Sequence, residues 1–214
     1  MMTNITDNRT RIFHKALELF IMYGIKSVSM DDIAKPLGIS KKTIYSHFKD
    51  KNGLVLEIVK AILDKTHQAC DTDRQLAANA IQESFIAINQ TTDLISSMNP
   101  LMVYELKKYY PVAYKGFLDF KNKFLYTVLK ENLIRGINEG LFRADLNVEV
   151  VVSFRLETVL EAFSPEIYKN AHTSVGEIHE ELFYLFLYGI ATPKGNQLIN
   201  KYKQQRLNNS VNEK

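Results

Sequence analysis

A single cysteine in 214 residues rules out an internal disulfide framework and fits a reducing compartment. No stretch approaches the roughly 18 apolar residues of a membrane-spanning helix, and the opening MMTNITDNRTR lacks the basic-then-apolar pattern of a secretion signal. The expected setting is the cytoplasm, with no membrane partner. Strand-like alternation, internal repeats and low-complexity linkers are missing as well, which leaves an all-α fold. No P-loop, G-x-S-x-G, H-E-x-x-H or dinucleotide fingerprint occurs, so catalysis has no visible carrier and no cofactor is expected. His67 and Cys70 stand three apart beside Asp71, but two soft ligands do not make a zinc site, and His14, His172 and His179 supply no local complement.

What is there suffices for a buried core: 46% of residues are hydrophobic and 24% charged. The net charge of +3 is unevenly spread. Residues 1–55 hold nine Lys and Arg against five Asp and Glu, and the remainder 18 against 19. A basic excess confined to the first quarter is what a phosphate-facing surface requires, although a solvated basic face has the same composition.

That quarter contains SMDDIAKPLGISKKTIYSHFKDK, Ser29 to Lys51. Ser29 and Asp32 form a capping box, and Asp31 and Asp32 suit the positive end of the helix they open. Ile33 and Leu37 share a face, and small Ala34 lets a neighbouring helix approach. Gly38 offers the left-handed conformation that ends a helix. Ser40 is a second N-cap. The helix after it, Lys41 to Phe48, turns Ile44 and Phe48 inward and leaves Lys41, Lys42, Tyr45, Ser46 and His47 outward. Two short helices hinged this way are a helix-turn-helix, whose second helix enters a DNA major groove.

Gly24, Ser27-Val28-Ser29, Ile33-Ala34, Leu37-Gly38-Ile39-Ser40, Thr43-Ile44-Tyr45, His47-Phe48, Lys51 and Leu54 together resemble the DNA-binding signature of tetracycline-repressor (TetR) family regulators, matching in order and spacing over about fifty residues. Two positions depart from it. Pro36 removes a backbone hydrogen bond late in the first motif helix, and Asn52-Gly53 replaces helix-favouring acidic residues. The resemblance implies a helix-turn-helix domain at 1–53, a helical effector-binding and dimerisation domain at 54–206 and a flexible tail at 207–214. It also implies a homodimeric DNA-binding regulator, a repressor released by a small apolar, aromatic or anionic effector. Lys41, Lys42 and Thr43 would address base edges, while Ser29, Tyr45, His47 and Lys51 would grip phosphates and Ser40 would cap the recognition helix. Two bland alternatives stand beside this: Tyr45 packing at the domain surface, and Lys51 as a solvated charge.

The rest of the chain reads as helices. The pattern predicts residues 9–23 closed by Gly24, with Arg9 and Arg11 near enough to reach a phosphate. Next come Asn52 to about Cys70, a break at Asp71-Thr72-Asp73, and Arg74 to Ser97 with Leu94 among its apolar positions. Asn99-Pro100 stops that helix; Leu101–Tyr110 follows, then one helix from Pro111 to Glu139-Gly140. After the link Leu141 to Asp145, a helix from Asn147 to Phe163 stops at Ser164-Pro165. A further helix runs from Ser174 to about Ala191, and a short one to about Arg206.

Apolar bands on the last two long helices, including Val152, Val159, Phe163, Ile178, Leu182, Leu185 and Phe186, suit intrachain packing singly. Together they resemble the helix pair that dimerises in the family, which would set two recognition helices against a palindromic operator. The aromatic-rich segment Tyr104 to Tyr126 fits a core or the wall of a small-molecule pocket, with Tyr104, Phe117, Phe120 and Phe124 the candidate contacts. Arg155 falls on the apolar face of its helix. It is either a structural arginine paired within the subunit or across the dimer, or an anchor for an anionic effector. Two other classes stay open: a larger domain that binds a protein partner, and an all-α enzyme or carrier with a vestigial helix-turn-helix.

Overall fold

The computed structural model describes residues 7–164, 167 and 172–212. The expected stop at Pro165, the side chain of Leu94, the opening six residues and the last two of the tail lie outside them. Every extended element among the described residues is helical, apart from an isolated antiparallel bridge between Phe142 and Ala191. The chain divides into two compact units, Met1–Lys65 with Ser97–Asp119, and Thr66–Ser96 with Phe120–Lys214.

In the first unit α1 (Asn8–Tyr23) buries Ile12, Ala16 and Phe20 at four-residue steps and ends at Gly24, φ +83°, whose N–H donates to Phe20 O at 2.9 Å. Helices α2 (Met30–Leu37) and α3 (Lys41–His47) are the motif pair. Helix α4 (Lys51–Leu76) begins despite Asn52-Gly53, because the Asp50 carboxylate accepts the Gly53 N–H at 2.8 Å. Helices α6 (Met102–Tyr109) and α7 (Pro111–Asp119) complete the unit. Met102, Leu106 and Ala113 join Ile33, Ile44, Phe48 and Leu54 in one core.

Helix α4 is longer than its sequence pattern suggests. Asp71-Thr72-Asp73 does not break it: the Thr72 hydroxyl donates to Gln68 O within the helix, and buried Asp73 accepts the Gln90 side-chain amide at 2.7 Å. Burial nonetheless raises the Asp73 carboxyl above the ordinary range. The break comes at Ala77 to Asn79, where the Asn79 side chain accepts the Gln82 N–H and opens α5 (Ala80–Ser97).

In the second unit, the helix expected to run unbroken from Pro111 relaxes into a π-helical turn, Phe120–Leu125, before α8 (Tyr126–Asn138). Such wide turns cluster at functional sites. This one carries Lys121 to a buried position, where its Nζ donates to Glu157 at 2.6 Å. After a left-handed Gly140 come α9 (Val148–Glu161), capped by Asn147, and α10 (Val175–Ile190), opened by a capping box between Ser174 and Glu177. The last helix, α11 (Pro193–Asn212), runs past Arg206, where the sequence suggested an end. Phe85, Phe142, Leu156, Phe183 and Leu187 sit in the unit's main core.

Candidate nucleic-acid interface

Both motif helices are capped as their residues dictate. The Ser29 hydroxyl accepts the Asp32 N–H at 3.2 Å while the Ser29 N–H donates to the Asp32 carboxylate at 2.8 Å. Hydrogen bonds from the Ser29 side chain and backbone hold the Asp32 carboxyl below its usual range. Gly38 has φ +66°, and the Ser40 hydroxyl accepts the Thr43 N–H at 3.0 Å. Ile44 and Phe48 are fully enclosed, which fixes the rotation of α3 about its axis. Lys41, Lys42, Tyr45 and Ser46 are exposed in consequence, with Thr43 and His47 half-buried. Pro36 does not break α2, which continues to Leu37.

Among the described residues Lys42 has no side-chain partner. Lys41 does: its Nζ reaches the Asp31 carboxylate at 2.7 Å, which raises its pKa. Exposed pairs of this kind are weak, so a phosphate or base edge competes readily for that amine.

Lys51 departs from expectation. Its half-buried Nζ points inward, donating to the carbonyls of Ile25 and Val28 at 2.5 Å each, and lies 5.6 Å from the Phe20 ring centre. Burial lowers its pKa, opposed by the charges of Glu105 and Asp32. It braces the loop that enters α2 and is not free to grip a phosphate. Arg9 and Arg11 are likewise engaged: Arg9 pairs with Glu57 at 2.5 Å and covers the Phe48 ring, and Arg11 donates to Asn8 and to Leu37 O.

A residue with no local sequence mark supports the same loop. Buried Glu105 on α6 accepts the Lys26 N–H at 2.9 Å. It comes so close to Gly24 that a Cβ there would stand 3.0 Å from its carboxylate. Its partner is 79 residues away in sequence, beyond any local signal.

The aromatic candidates do not form one group. Tyr104 and Phe117 belong to the first unit, where Tyr104 is exposed beside Lys108 and Phe117 packs on the core. Phe120, Phe124 and Arg155 belong to the second, where Phe120 lies 5.1 Å from Phe124 and His67 stacks on Phe124 at 3.8 Å. An open groove of about 410 Å³ in that unit is lined by Arg74, Glu131, Ile134, Arg135, Asn138 and Glu139, none of them aromatic. The Cys70 thiol is pushed up to about 11 by burial, and no cluster of three metal-ligating side chains occurs among the described residues.

The apolar bands of α9 and α10 need one correction. Val152, at 0% exposure, and Ile178, at 6%, are core residues of their own chain and are not available to a partner. Val159, Phe163, Leu182 and Phe186 are half-buried. The outward apolar residues are Val150, Phe154, Leu185 and Tyr188, with Phe154 at 60% and Leu185 at 62%.

The model of bacterial regulatory proteins of the tetR family matches residues 12–58, the stretch from α1 into α4. The transcriptional repressor KstR2 of Mycolicibacterium smegmatis is 25% identical over 196 residues, 89% of this chain and 94% of that protein. Residues 12–58 carry the DNA-binding domain of the TetR family. A TetR-family regulator of Agrobacterium tumefaciens shares the fold with a TM-score of 0.70 at 20% identity, over 86% of this chain and 97% of that one. The regulator FadR of Bacillus subtilis, solved with stearoyl-CoA, does so with 0.64 at 19%, over 84% and 98%. With that domain the chain is a DNA-binding transcription regulator rather than an enzyme. No helix among its described residues is long and apolar enough to cross a membrane.

Proposed function

We propose that the chain is a homodimeric repressor that reads a palindromic operator through α3 and lets go when a small molecule occupies its C-terminal unit. The observation that carries this is the orientation of α3: Ile44 and Phe48 lock one side into the core, and Lys41, Lys42 and Tyr45 stand in solvent on the other. Lys42 and Thr43, at the start of that helix, address base edges, with lysine favouring guanine O6 and N7. Tyr45 and His47 contact phosphates, as does the Ser29 hydroxyl by giving up its bond to the Asp32 carboxylate, and Lys41 exchanges Asp31 for the DNA. Lys42→Ala is expected to cost about 1–3 kcal/mol on the cognate duplex and little on a scrambled one, and wild-type affinity should fall steeply with salt. Fluorescence anisotropy with both duplexes over a salt series checks this; an equal loss on both assigns Lys42 to phosphate instead.

The exposed side of α9 and α10 supports a two-fold dimer. Val150, Phe154, Leu185 and Tyr188 give these neighbouring helices an uncovered apolar face, as a four-helix interface between copies requires. Leu185→Asp is expected to convert the dimer to monomer in light scattering and to weaken operator binding by at least about 100-fold through loss of the second half-site. Dimers that persist would place the interface elsewhere.

Repression by this chain is supported by the name of KstR2, which matches along most of its length, and a ligand-responsive C-terminal unit by the stearoyl-CoA complex of FadR. Release is a population shift: taking a dimer from 99% competent to 1% requires about 5.5 kcal/mol of preference for the released state. Saturating effector that leaves operator affinity unchanged would contradict it.

A further inference from the structure

We propose that Arg155 anchors a ligand site inside the C-terminal bundle, one that takes an oxyanion carried on an apolar body. The proposal rests on the effector reading above and gives that effector its chemistry.

Helix α9 exposes Val150, Ser153, Phe154, Glu157 and Glu161 along one side. Arg155 projects from the other, beside Val152 and Leu156, and is only 7% exposed. Its Nη1 is wholly shielded and donates to no acceptor, and no carboxylate among the described residues pairs with it. Among the described residues its compensation is aromatic: the guanidinium carbon stands 5.2 Å from the Phe186 ring centre and 5.7 Å from that of Phe183. Ring faces return only a small part of what a guanidinium loses on leaving water. Burial lowers its pKa to about 10, which still leaves a full positive charge at neutral pH.

A second buried donor lies within its electrostatic reach. His179 on α10 is 3% exposed with Nδ1 unpartnered. Burial first, then the charges of Arg155 and Arg206, hold its pKa down at about 4. A neutral imidazole carries one N–H to offer an anion. Arg206 is already matched by Glu180 at 2.7 Å, so the uncompensated charge is that of Arg155. In the dimer proposed above, a carboxylate from a second copy does not supply the missing partner, because Arg155 is buried while the proposed contact side of α9 carries exposed Val150 and Phe154. Val151 and Val159, one turn to either side on the same stripe as Arg155, are half-buried and offer an apolar tail a surface at both ends.

The test is calorimetric titration of the full chain with dodecanoate, dodecyl phosphate and 1-dodecanol, each kept below micelle formation, for wild type and Arg155→Met. Wild type should bind at least one of the two anions at least about tenfold more tightly than the alcohol. Arg155→Met should erase that preference with an unliganded Tm at or above wild type, since it removes a buried unpaired charge. Whichever anion binds more tightly assigns the headgroup to carboxylate or phosphate. Equal affinity for acids and alcohol, no binding of any probe, an unchanged preference in Arg155→Met, or a variant that does not fold each overturns the site. Operator affinity is read separately. Anions that bind through Arg155 without loosening the operator remove the effector reading and leave the site; release of the wild-type and Arg155→Met proteins by the alcohol alike does the reverse.

Discussion

Ile44→Ala is expected to destabilise the first unit by about 3 kcal/mol and to reduce operator affinity by more than about tenfold. Helix α3 has seven residues, far below the length at which a helix persists alone in water. Its N-cap at Ser40 contributes about 1 kcal/mol; the remainder comes from packing Ile44 and Phe48 against α1, α2 and the start of α4. Ile44 is fully enclosed, so truncation leaves a void that Ala34 and Ile33 can close only by moving α2. That movement changes the angle between the motif helices and with it the reach of Lys42. Urea unfolding and operator titration on the same preparation should change together. A control at exposed Val112, in the same unit, should change unfolding by less than about 0.5 kcal/mol. If Ile44→Ala loses stability yet binds the operator as wild type does, the rigid placement of α3 is not what presents the lysines.

The motif was legible because its determinants are local. Ser29 and Asp32, Ser40 and Thr43, and Ile44 and Phe48 are three or four residues apart, so spacing alone predicts which groups meet. The polar position of Arg155 amid valines was visible for the same reason, and it is the buried cation that spacing implies. Readings failed where the deciding partner is remote. The family resemblance sets Lys51 at the phosphates; the carbonyls that claim its amine are 23 and 26 residues away, beyond the reach of local spacing. Asp71-Thr72-Asp73 looked like a helix break because aspartate and threonine compete with helical hydrogen bonds. Gln90 satisfies Asp73 from α5 and removes the competition.

At the bands on α9 and α10 the expectation departs from the structure only at Val152 and Ile178. The second half of α10, Phe183 to Ile190, has no charged residue, so its periodicity names no outer face there. Which of Ile178, Leu182 and Leu185 is covered depends on what packs beside each. Val175, Ala162 and Ile95 enclose Ile178 in a small satellite core, whereas Leu185 meets no such cover. The π-helical turn had no sequence mark at all. Its buried lysine is matched by Glu157 on α9, a pairing 36 residues long.

Gly136→Ala, on α8, is expected to cost the second unit about 3 kcal/mol, although alanine is the better helix former by about 1 kcal/mol. The opposing term is steric. A Cβ at Gly136 would lie 2.0 Å from Cδ2 and 2.2 Å from Cε2 of Phe142, a ring fully enclosed in the core. The ring cannot swing clear cheaply, because its backbone is tied in place: the N–H groups of Leu141 and Phe142 both donate to Gly136 O, at 2.8 and 3.0 Å. The next residue is tied as well, the Arg143 N–H donating to Ile190 O at 2.9 Å. Shifting Phe142 therefore pulls on the link that joins α8 to the ends of α10 and α11. The clash belongs to one pair of residues, so a second substitution should relieve it: Phe142→Leu in the Gly136→Ala background should recover about 1 kcal/mol or more relative to the sum of the single changes. Thermal and urea unfolding of the four proteins measures that coupling. Additive losses, or a Gly136→Ala protein more stable than wild type, would mean that the ring finds another place and that the glycine is not there for close approach.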